Sequence, residues 1–534
     1  MRITIVALGS EQLGLSLLSA IAKRDGHEVS LAYSASLFHD RWNLEIPWLA
    51  KYFDDREEVL KTIREERPEV LVFSCITATY QWMLGIAAEA KAIDPSIKTI
   101  FGGVHVSAVP EIVIENRQVD YLVVGEGEIA FPAILNVVQT GKHDGPIDNT
   151  WFRDTDGSIV KGIQKGFNQD LDSLPAFDKT LWENHLIIGD RYFTMASRGC
   201  PYRCTFCFNN FFAELPDDKK TKGKYVRLRS VEHVMAELRD ARARYKNLKY
   251  IDFQDDVFTT SKEWLQEFLP RYKAEIGLPF QCLTHPKYMD DEIARWMSDA
   301  GCLWVQLGVQ SMDEEFKSKI KRFERSDHIK SALGFMNKHG IKVKVDHMFG
   351  LPGEPVSAQE KALDLYREYV PARIQTFWTC FLPGTELMKE GLADGIINEA
   401  DAKRLNEGLD FYFYRNPENI KNREMMRAYK AYEFIFKIIP LLPKAVRMRI
   451  GLKHVLWIPD FAKSGIAFVG DIIIGFLNKN PDFSAYARHN LFQMYCIVRR
   501  KLKLSVPKAS ALNLRMGIEP KVNPFLHEPV AKAV

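Results

Sequence analysis

The sequence predicts an α/β protein in three parts: an N-terminal Rossmann-like, doubly wound parallel sheet, then a partial (β/α)6 TIM-like barrel, then a mainly α-helical C-terminal region. Three observations predict it. Residues 1–145 and 191–395 each alternate short apolar strands with helical segments, the pattern of parallel sheets. The apolar runs end in glycines and small polar residues, where such sheets and barrels build their sites. Residues 396–534 carry helical periodicity without comparable strands. A connector, 146–190, joins the first two parts.

In the first part Ile3–Leu8 reads as a buried strand, Gly9–Gly14 as a loop and Leu15–Arg24 as a helix. Glu28–Tyr33, Glu69–Phe73, Thr99–Phe101 and Tyr121–Val124 read as further strands. Their ends carry Gly9-Ser10, Ser74 to Thr79, Gly102 to His105 and Gly125 to Glu128. Gly9-x-x-x-x-Gly14 lacks both the GxGxxG spacing of dinucleotide sites and the Lys-Ser/Thr of a P-loop. In the connector, Trp151–Val160 reads as a hairpin around Asp156-Gly157, and Leu171–Pro175 as an extended linker.

In the second part strands are expected at Tyr192–Met195, Tyr250–Phe253, Pro279–Leu283, Trp304–Leu307, Lys342–Phe349 and Gln375–Phe381, with helices such as Val231–Tyr245 and Asp291–Asp299 between them. Six such units make a partial barrel. In the third part, residues 421–503 hold sixteen basic and five acidic side chains, an excess that the chain-wide +3 conceals. Met425, Tyr429, Tyr432, Phe436 and Ile439 recur at steps of four and three, one face of an amphipathic helix. Two readings stand: docking of 421–503 on an anionic membrane surface, or a helical cap packed on the barrel. The tail after Ser505, with Pro507, Pro520, Pro524 and Pro529, reads as poorly ordered.

With 534 residues, 46% hydrophobic and 26% charged, the chain can bury several large cores. Nothing in its charge calls for nucleic acid. No stretch reaches the ~18 uninterrupted apolar residues of a transmembrane helix, and Glu11 interrupts the first apolar run where a secretory signal would continue. Five cysteines (Cys75, Cys282, Cys302, Cys380, Cys496) lack paired spacing, which favours a reducing cytoplasm. The expected location is therefore cytoplasmic, peripheral on the inner membrane face if 421–503 docks there.

The remaining cysteines, Cys200, Cys204 and Cys207, form a CxxxCxxC run after a strand. Three thiolates are one short of a closed four-ligand site. A [4Fe–4S] cluster held this way keeps one iron open to an outside ligand. A zinc site would need a fourth Cys or His within about 20 residues, and none follows. Three buried thiols are the plain alternative.

Preceded by Ser197-Arg198-Gly199 and continued by Pro201-Tyr202, this run resembles the radical S-adenosylmethionine (SAM) superfamily. Phe101-Gly102-Gly103-Val104-His105 and Val124-Gly125-Glu126-Gly127-Glu128 resemble the cobalamin-binding domain that precedes many such cores. Over residues 1–395 the chain is thus similar to B12-binding-domain-containing radical SAM enzymes. The resemblance implies that Cys200, Cys204 and Cys207 hold the cluster, that SAM chelates its open iron, and that Phe206 packs near the adenine. Asp255 and Asp256 stand where the family has Gly-Gly-Glu for the SAM amino group, a helix-capping pair being the alternative. Gly308, Gln310 and Ser311 match a Gly-Val-Gln-Ser segment near the ribose and carboxylate. Gly350 and Pro352 belong to a segment near adenine, and Leu382–Leu387 resembles the closing Pro-Gly-Thr-x-Leu. For cobalamin the resemblance implies Gly9, Ser10, Ser74, Thr77, Gly102, Gly103, His105, Gly125, Glu126 and Gly127. DxHxxG is absent, so no histidine is expected beneath the cobalt, and His105 has the alternative of a loop residue without a ligand role.

The implied function is methylation of an unactivated carbon on a small molecule, lipid-like if the chain meets a membrane. Electrons would come from a donor such as flavodoxin or ferredoxin. Two alternatives remain: a cyclase or rearrangement enzyme with the same cofactors, and a non-catalytic iron–sulfur and cobalamin carrier or sensor.

Overall fold

Runs such as Ile3-Thr4-Ile5-Val6-Ala7 and Val70-Leu71-Val72-Phe73 are apolar on both faces, which suits parallel strands covered by helices on both sides. The computed structural model describes residues 1–40, 44–142, 145–154, 156–187, 190–220, 223–411 and 423–515. In it, β1 (Arg2–Leu8), β2 (Glu28–Ser34), β3 (Val70–Ser74), β4 (Lys98–Gly102) and β5 (Tyr121–Val123) form a parallel sheet ordered β2-β1-β3-β4-β5. The order reverses between β1 and β3, the switch point at which open sheets bind ligands. The sheet continues past residue 145: β6 (Thr150–Arg153) and β7 (Ile159–Lys161), the expected hairpin, extend it antiparallel beyond β5.

The connector is stapled to this sheet rather than loose. On α1 (Leu13–Arg24), Ser19 Oγ donates to Asp178 at 2.6 Å, Lys23 pairs with the same carboxylate at 2.7 Å, and Ser16 Oγ accepts from the fully buried Trp182 indole at 2.8 Å. Leu171–Ser173, expected to be extended, makes a short 3-10 turn capped by Asp170.

The second sheet holds β8 (Arg191–Thr194), β9 (Tyr250–Phe253), β10 (Phe280–Thr284), β11 (Cys302–Gln310), β12 (Lys342–Phe349) and β13 (Arg373–Trp378). All are parallel and lie in chain order, an open barrel of six strands. Alternation sends Ile251, Phe253, Val305, Leu307, Val343 and Val345 into one core with the surrounding helices. The other positions are polar: Gln281 Nε2 donates to Asp252 at 2.5 Å and Gln306 Nε2 to Asp346 at 2.6 Å.

The expected amphipathic helix is α2 (Arg423–Ile438), and it is a cap on the barrel. Tyr429, Tyr432 and Phe436 are buried, and the Phe436 ring meets His347, Phe349 and Tyr366 at 4.8, 5.7 and 5.1 Å. Glu433 accepts from Thr376 at 3.1 Å and from the Trp378 indole at 3.2 Å. Membrane docking does not apply to this face, because β13 and its neighbours already cover it. Helices α3 (Asp460–Leu477) and α4 (Pro481–Lys501) follow. The second returns to the first domain and its connector: Ile497 joins the core they share, and Gln493 donates to His185 O of the connector at 2.7 Å. Among the described residues no helix is long and apolar enough to cross a membrane. Pro520, Pro524 and Pro529, in the tail expected to be poorly ordered, lie outside the described residues.

Because Phe436 is fully buried in the barrel core, Phe436→Ala should cost about 3–5 kcal/mol. Circular dichroism during thermal unfolding will show a lowered midpoint; an unchanged midpoint would mean that α2 does not support the barrel.

Candidate active site

The cysteine loop begins where β8 ends. Ser197–Arg198 pairs antiparallel with Arg227–Leu228, drawing the chain so close that a Cβ at Gly199 would stand 2.3 Å from Tyr225 O. Only glycine fits there, and its φ of +82° is also one that other residues rarely adopt. Asp255, just past β9, anchors the loop from below: it accepts from Ala196 N at 3.1 Å and from the Ser197 hydroxyl. It is buried, burial pushes its carboxyl up to about 6, and its oxygens are occupied. Asp255 is thus a positioning residue, not an open anion for a SAM ammonium. Asp256 is the one exposed to the cavity beside the loop.

The loop is clipped on both sides. Cys207 N donates to Cys204 O, Thr205 N to Ile320 O and Leu387 N to Thr205 O. Phe206 packs with Phe316, Ile320 and Leu351, bringing the loop to the ends of β11 and β12. Asn209 Nδ2 points to Cys207 Sγ at 3.7 Å while its Oδ1 accepts from the Tyr225 hydroxyl. The buried Arg322 guanidinium lies beside the Cys204 thiol, donates to Gly308 O and is held by Glu324 at 2.6 Å. Glu324 also faces His285, on whose ring Tyr202 stacks at 3.9 Å.

Among the described residues no three His, Cys, Asp or Glu side chains converge as ligands of a single ion. A cubane cluster asks for something else, one thiolate at each of three separate corners, and the CxxxCxxC loop offers that donor set. Burial pushes the Cys200 thiol up to about 12 and that of Cys207 to about 11, so both stay protonated until a metal takes the proton's place.

Facing the loop is a cavity of ≈ 440 Å³. Ser74, Gly102, Gly103, Gly125, Glu126 and Gly127 line it from the first sheet, and Gly199, Phe208, Asn209, Tyr225, Gln254 and Asp256 from the cysteine side. A Cβ at Gly103, whose φ is +98°, would fall 2.6 Å from Cys75 O. Glycine is required there by the close packing of this turn on the Cys75 backbone.

Four residues expected at a cobalamin are not in the lining: Gly9, Ser10, Thr77 and His105. Gly9 carries the Tyr33 hydroxyl on its carbonyl. His105 is buried, bonded to Thr77 Oγ1 at 3.1 Å and packed 4.3 Å from the Tyr80 ring, and burial lowers its pKa to about 4. It is a neutral packing residue. Gly308, Gln310, Ser311, Gly350 and Pro352 sit at and after the ends of β11 and β12, outside the cavity wall. Gln310 is held at φ +61°, and Ser311 is buried, its Oγ accepting from Asp313 N.

Sequence reasoning missed the arginines. Glu126 accepts from Arg227 at 2.7 and 2.9 Å and pairs with Arg198 at 3.3 Å, while Arg198 also reaches Glu128 at 2.5 Å. Asn168 N completes the cage at 3.0 Å. Burial alone would raise the Glu126 carboxyl, but hydrogen bonding from Arg227 and both guanidinium charges hold it below the ordinary range. Glu126 thus lines the cavity as a clasp between the two domains. The Ser-Arg-Gly before the cysteines was the available signal for Arg198; nothing local marked Arg227.

Residues 195–366 match the Radical SAM superfamily and residues 6–135 the B12 binding domain. The chain belongs to the cobalamin-dependent radical SAM enzymes, whose cofactors are a [4Fe–4S] cluster, SAM and cobalamin. Its relatives include an uncharacterized methyltransferase of Pyrococcus horikoshii, 26% identical over 72% of this chain and 82% of that protein. They also include the anaerobic magnesium-protoporphyrin IX monomethyl ester cyclase of Rubrivivax gelatinosus, 21% identical over 61% of this chain and 59% of that one. The fold resembles that of the radical SAM methyltransferase TsrM from Kitasatospora setae solved with cobalamin and a [4Fe–4S] cluster (TM-score 0.58, 18% identity, 74% of this chain and 78% of that one). It also resembles that of the cobalamin-dependent radical SAM enzyme OxsB with aqua-cobalamin (TM-score 0.61, 14% identity, 96% and 83%).

Removing one partner of a buried ion pair typically costs about 3–5 kcal/mol, so Arg227→Met should lower the urea midpoint markedly. The pH dependence follows from Glu126. Its folded pKa lies below the ordinary 4.5, so its stabilisation is complete above that value and is lost as pH falls through it. Between pH 5 and about 3.5 the wild-type midpoint should fall more steeply than that of Glu126→Gln; parallel curves would refute the clasp.

Proposed function

We propose that this protein methylates an unactivated carbon of a small molecule held between the cysteine loop and the glycine-rich strand ends of its first domain. The supporting observation is the shared cavity: one wall comes from the match to the B12 binding domain, the other from the cysteine loop. When bound, the cluster with SAM supplies a hydrogen-abstracting radical and cobalamin a transferable methyl group.

The chain's own residues do the rest. Cys200, Cys204 and Cys207 are the cluster's ligands, and Arg322 and Asn209 orient two of them. Asp256 offers the open carboxylate that a SAM ammonium needs. Gly308, Gln310, Ser311, Gly350 and Pro352 shape the barrel end behind SAM. Gly102, Gly103, Gly125 and Gly127 let the corrin approach the backbone, and the Glu126 clasp fixes its distance from the cluster. Phe208, Phe212 and Tyr225 line the cavity with aromatic surface that excludes water. Reducing electrons come from a flavodoxin or ferredoxin, and the working compartment is the cytoplasm.

Cyclisation or rearrangement is the second reading, favoured by the cyclase relative. Product mass separates the two, because methylation adds one CH₂ and ring closure does not. A carrier or sensor would form no 5′-deoxyadenosine under strong reductant.

Anaerobically reconstituted wild-type protein should bind cobalamin and cleave SAM; absence of cobalamin after reconstitution would remove the methylation reading. Substitution of all three cysteines by alanine should abolish SAM cleavage and leave cobalamin uptake intact. Asp256→Asn should weaken SAM about tenfold by calorimetry, equivalent to about 1.4 kcal/mol; unchanged affinity would move the ammonium site elsewhere.

A further inference from the structure

Helix α3 turns one side to the cap and the other to solvent. Ala467, Gly470 and Ile474 are buried, a Cβ on Gly470 would touch Leu441, and Asp471 pairs with Arg373 at 3.3 Å. Asn478, just past its end, donates to Ala372 O, and Lys342 donates to Asn478 O, so the helix is fixed to the starts of β12 and β13.

On the opposite side Phe461 is 81% exposed, Phe476 70% and Leu477 71%, with Ile466, Phe468, Val469 and Ile473 also exposed. The remaining exposed positions between 461 and 477 are Ser464 and Gly465, so no charge interrupts this face. Trp457, 75% exposed, precedes it. Isolated surface apolar residues are ordinary, but a continuous uncharged face along a whole helix marks an interaction site.

The surroundings identify the partner. Lys444, Arg449 and Lys453 are exposed before the helix and Lys479 after it. Only two acidic residues lie between 444 and 479, and both are neutralised: Asp460 by Lys430 at 3.1 Å and Lys463 at 2.9 Å, Asp471 by Arg373. A second copy seated symmetrically on this face would bring these cations against their own counterparts. An anionic lipid surface matches both the cations and the apolar strip, and an aromatic residue such as Trp457 suits the boundary between them.

We propose that the outer face of α3, with Trp457, lies in the plane of an anionic bilayer surface, its flanking lysines and Arg449 against the headgroup phosphates. This goes beyond the methylation reading and stands without it. It differs from membrane contact through the Met425–Ile439 face, which the barrel covers.

The test is cosedimentation of the full-length protein, as purified, with phosphatidylcholine vesicles and with phosphatidylcholine–phosphatidylglycerol vesicles. Binding should be confined to the anionic vesicles, fall with added salt, and drop about fivefold for Lys453→Gln, the loss expected for one surface cation worth about 1 kcal/mol. Phe461→Ser/Phe476→Ser should abolish it while circular dichroism and cobalamin uptake stay unchanged. No sedimentation with anionic vesicles, or equal binding by the double variant, overturns the proposal. So does a wild-type dimer in light scattering that the double variant dissolves, with no lipid binding by either, because the face would then belong to a second copy.

Discussion

Everything the two cofactor-bearing domains do together depends on the contact between Glu126 and the arginines Arg198 and Arg227. Glu126 stands at the carboxyl end of the first sheet, three residues past the end of β5; the arginines belong to the antiparallel strand pair from which the cysteine loop leaves. Bringing three charges out of water carries a desolvation cost that ion pairing offsets only when the geometry is good. Here the carboxylate takes three donated bonds from Arg227 and Asn168, and Arg198 is shared with Glu128. The gain is in specificity more than in stability: one register of the domains satisfies all these groups, and that register sets two glycine-rich strand ends opposite three thiols.

Asp255 works by a similar logic at shorter range. A carboxylate under the first residues of the loop ties β9's end to β8's, so the cysteines leave the barrel in a fixed direction. Arg322 then braces Cys204 from β11's side, where Ile320 O accepts from Thr205 N, and Leu387 N donates to Thr205 O from the last strand's side. A flexible eight-residue loop becomes a rigid mount because each neighbouring strand end holds one of its atoms.

Much of this was legible in the sequence, for a physical reason. Parallel strands buried on both faces are written as unbroken apolar runs, so β1 and β3 stood out with nearly correct bounds, and β12 stood out by its period-two alternation of Lys342, Lys344 and Asp346 with Val343 and Val345. The cysteines stood out because thiolate ligands need a fixed local spacing. What escaped notice depended on contacts between distant segments. The hairpin 150–161 reads as part of a connector until its pairing with β5 is seen. Asp255 and Asp256 look interchangeable in the sequence, yet one carboxylate is buried under backbone amides and its neighbour faces the cavity. Glu126 read as a cofactor contact because glycines flank it, and its arginine partners lie more than 70 residues away in the chain. For the C-terminal region, periodicity correctly marked an amphipathic helix but could not say what covers its apolar side.

The return of α4 to the first domain closes the chain on itself. Sheet, connector, barrel, cap and returning helix form a ring of contacts, sealed at one point by the arginine cage and at another by Gln493, Ile497 and Arg500 against the first domain and its connector. A ring fastened twice cannot open like a pair of jaws; loosening one fastening leaves the other as a pivot with little travel. Phe212 and Tyr225, in the wall of the cavity, are therefore held at a fixed separation from the glycine-rich strand ends opposite them.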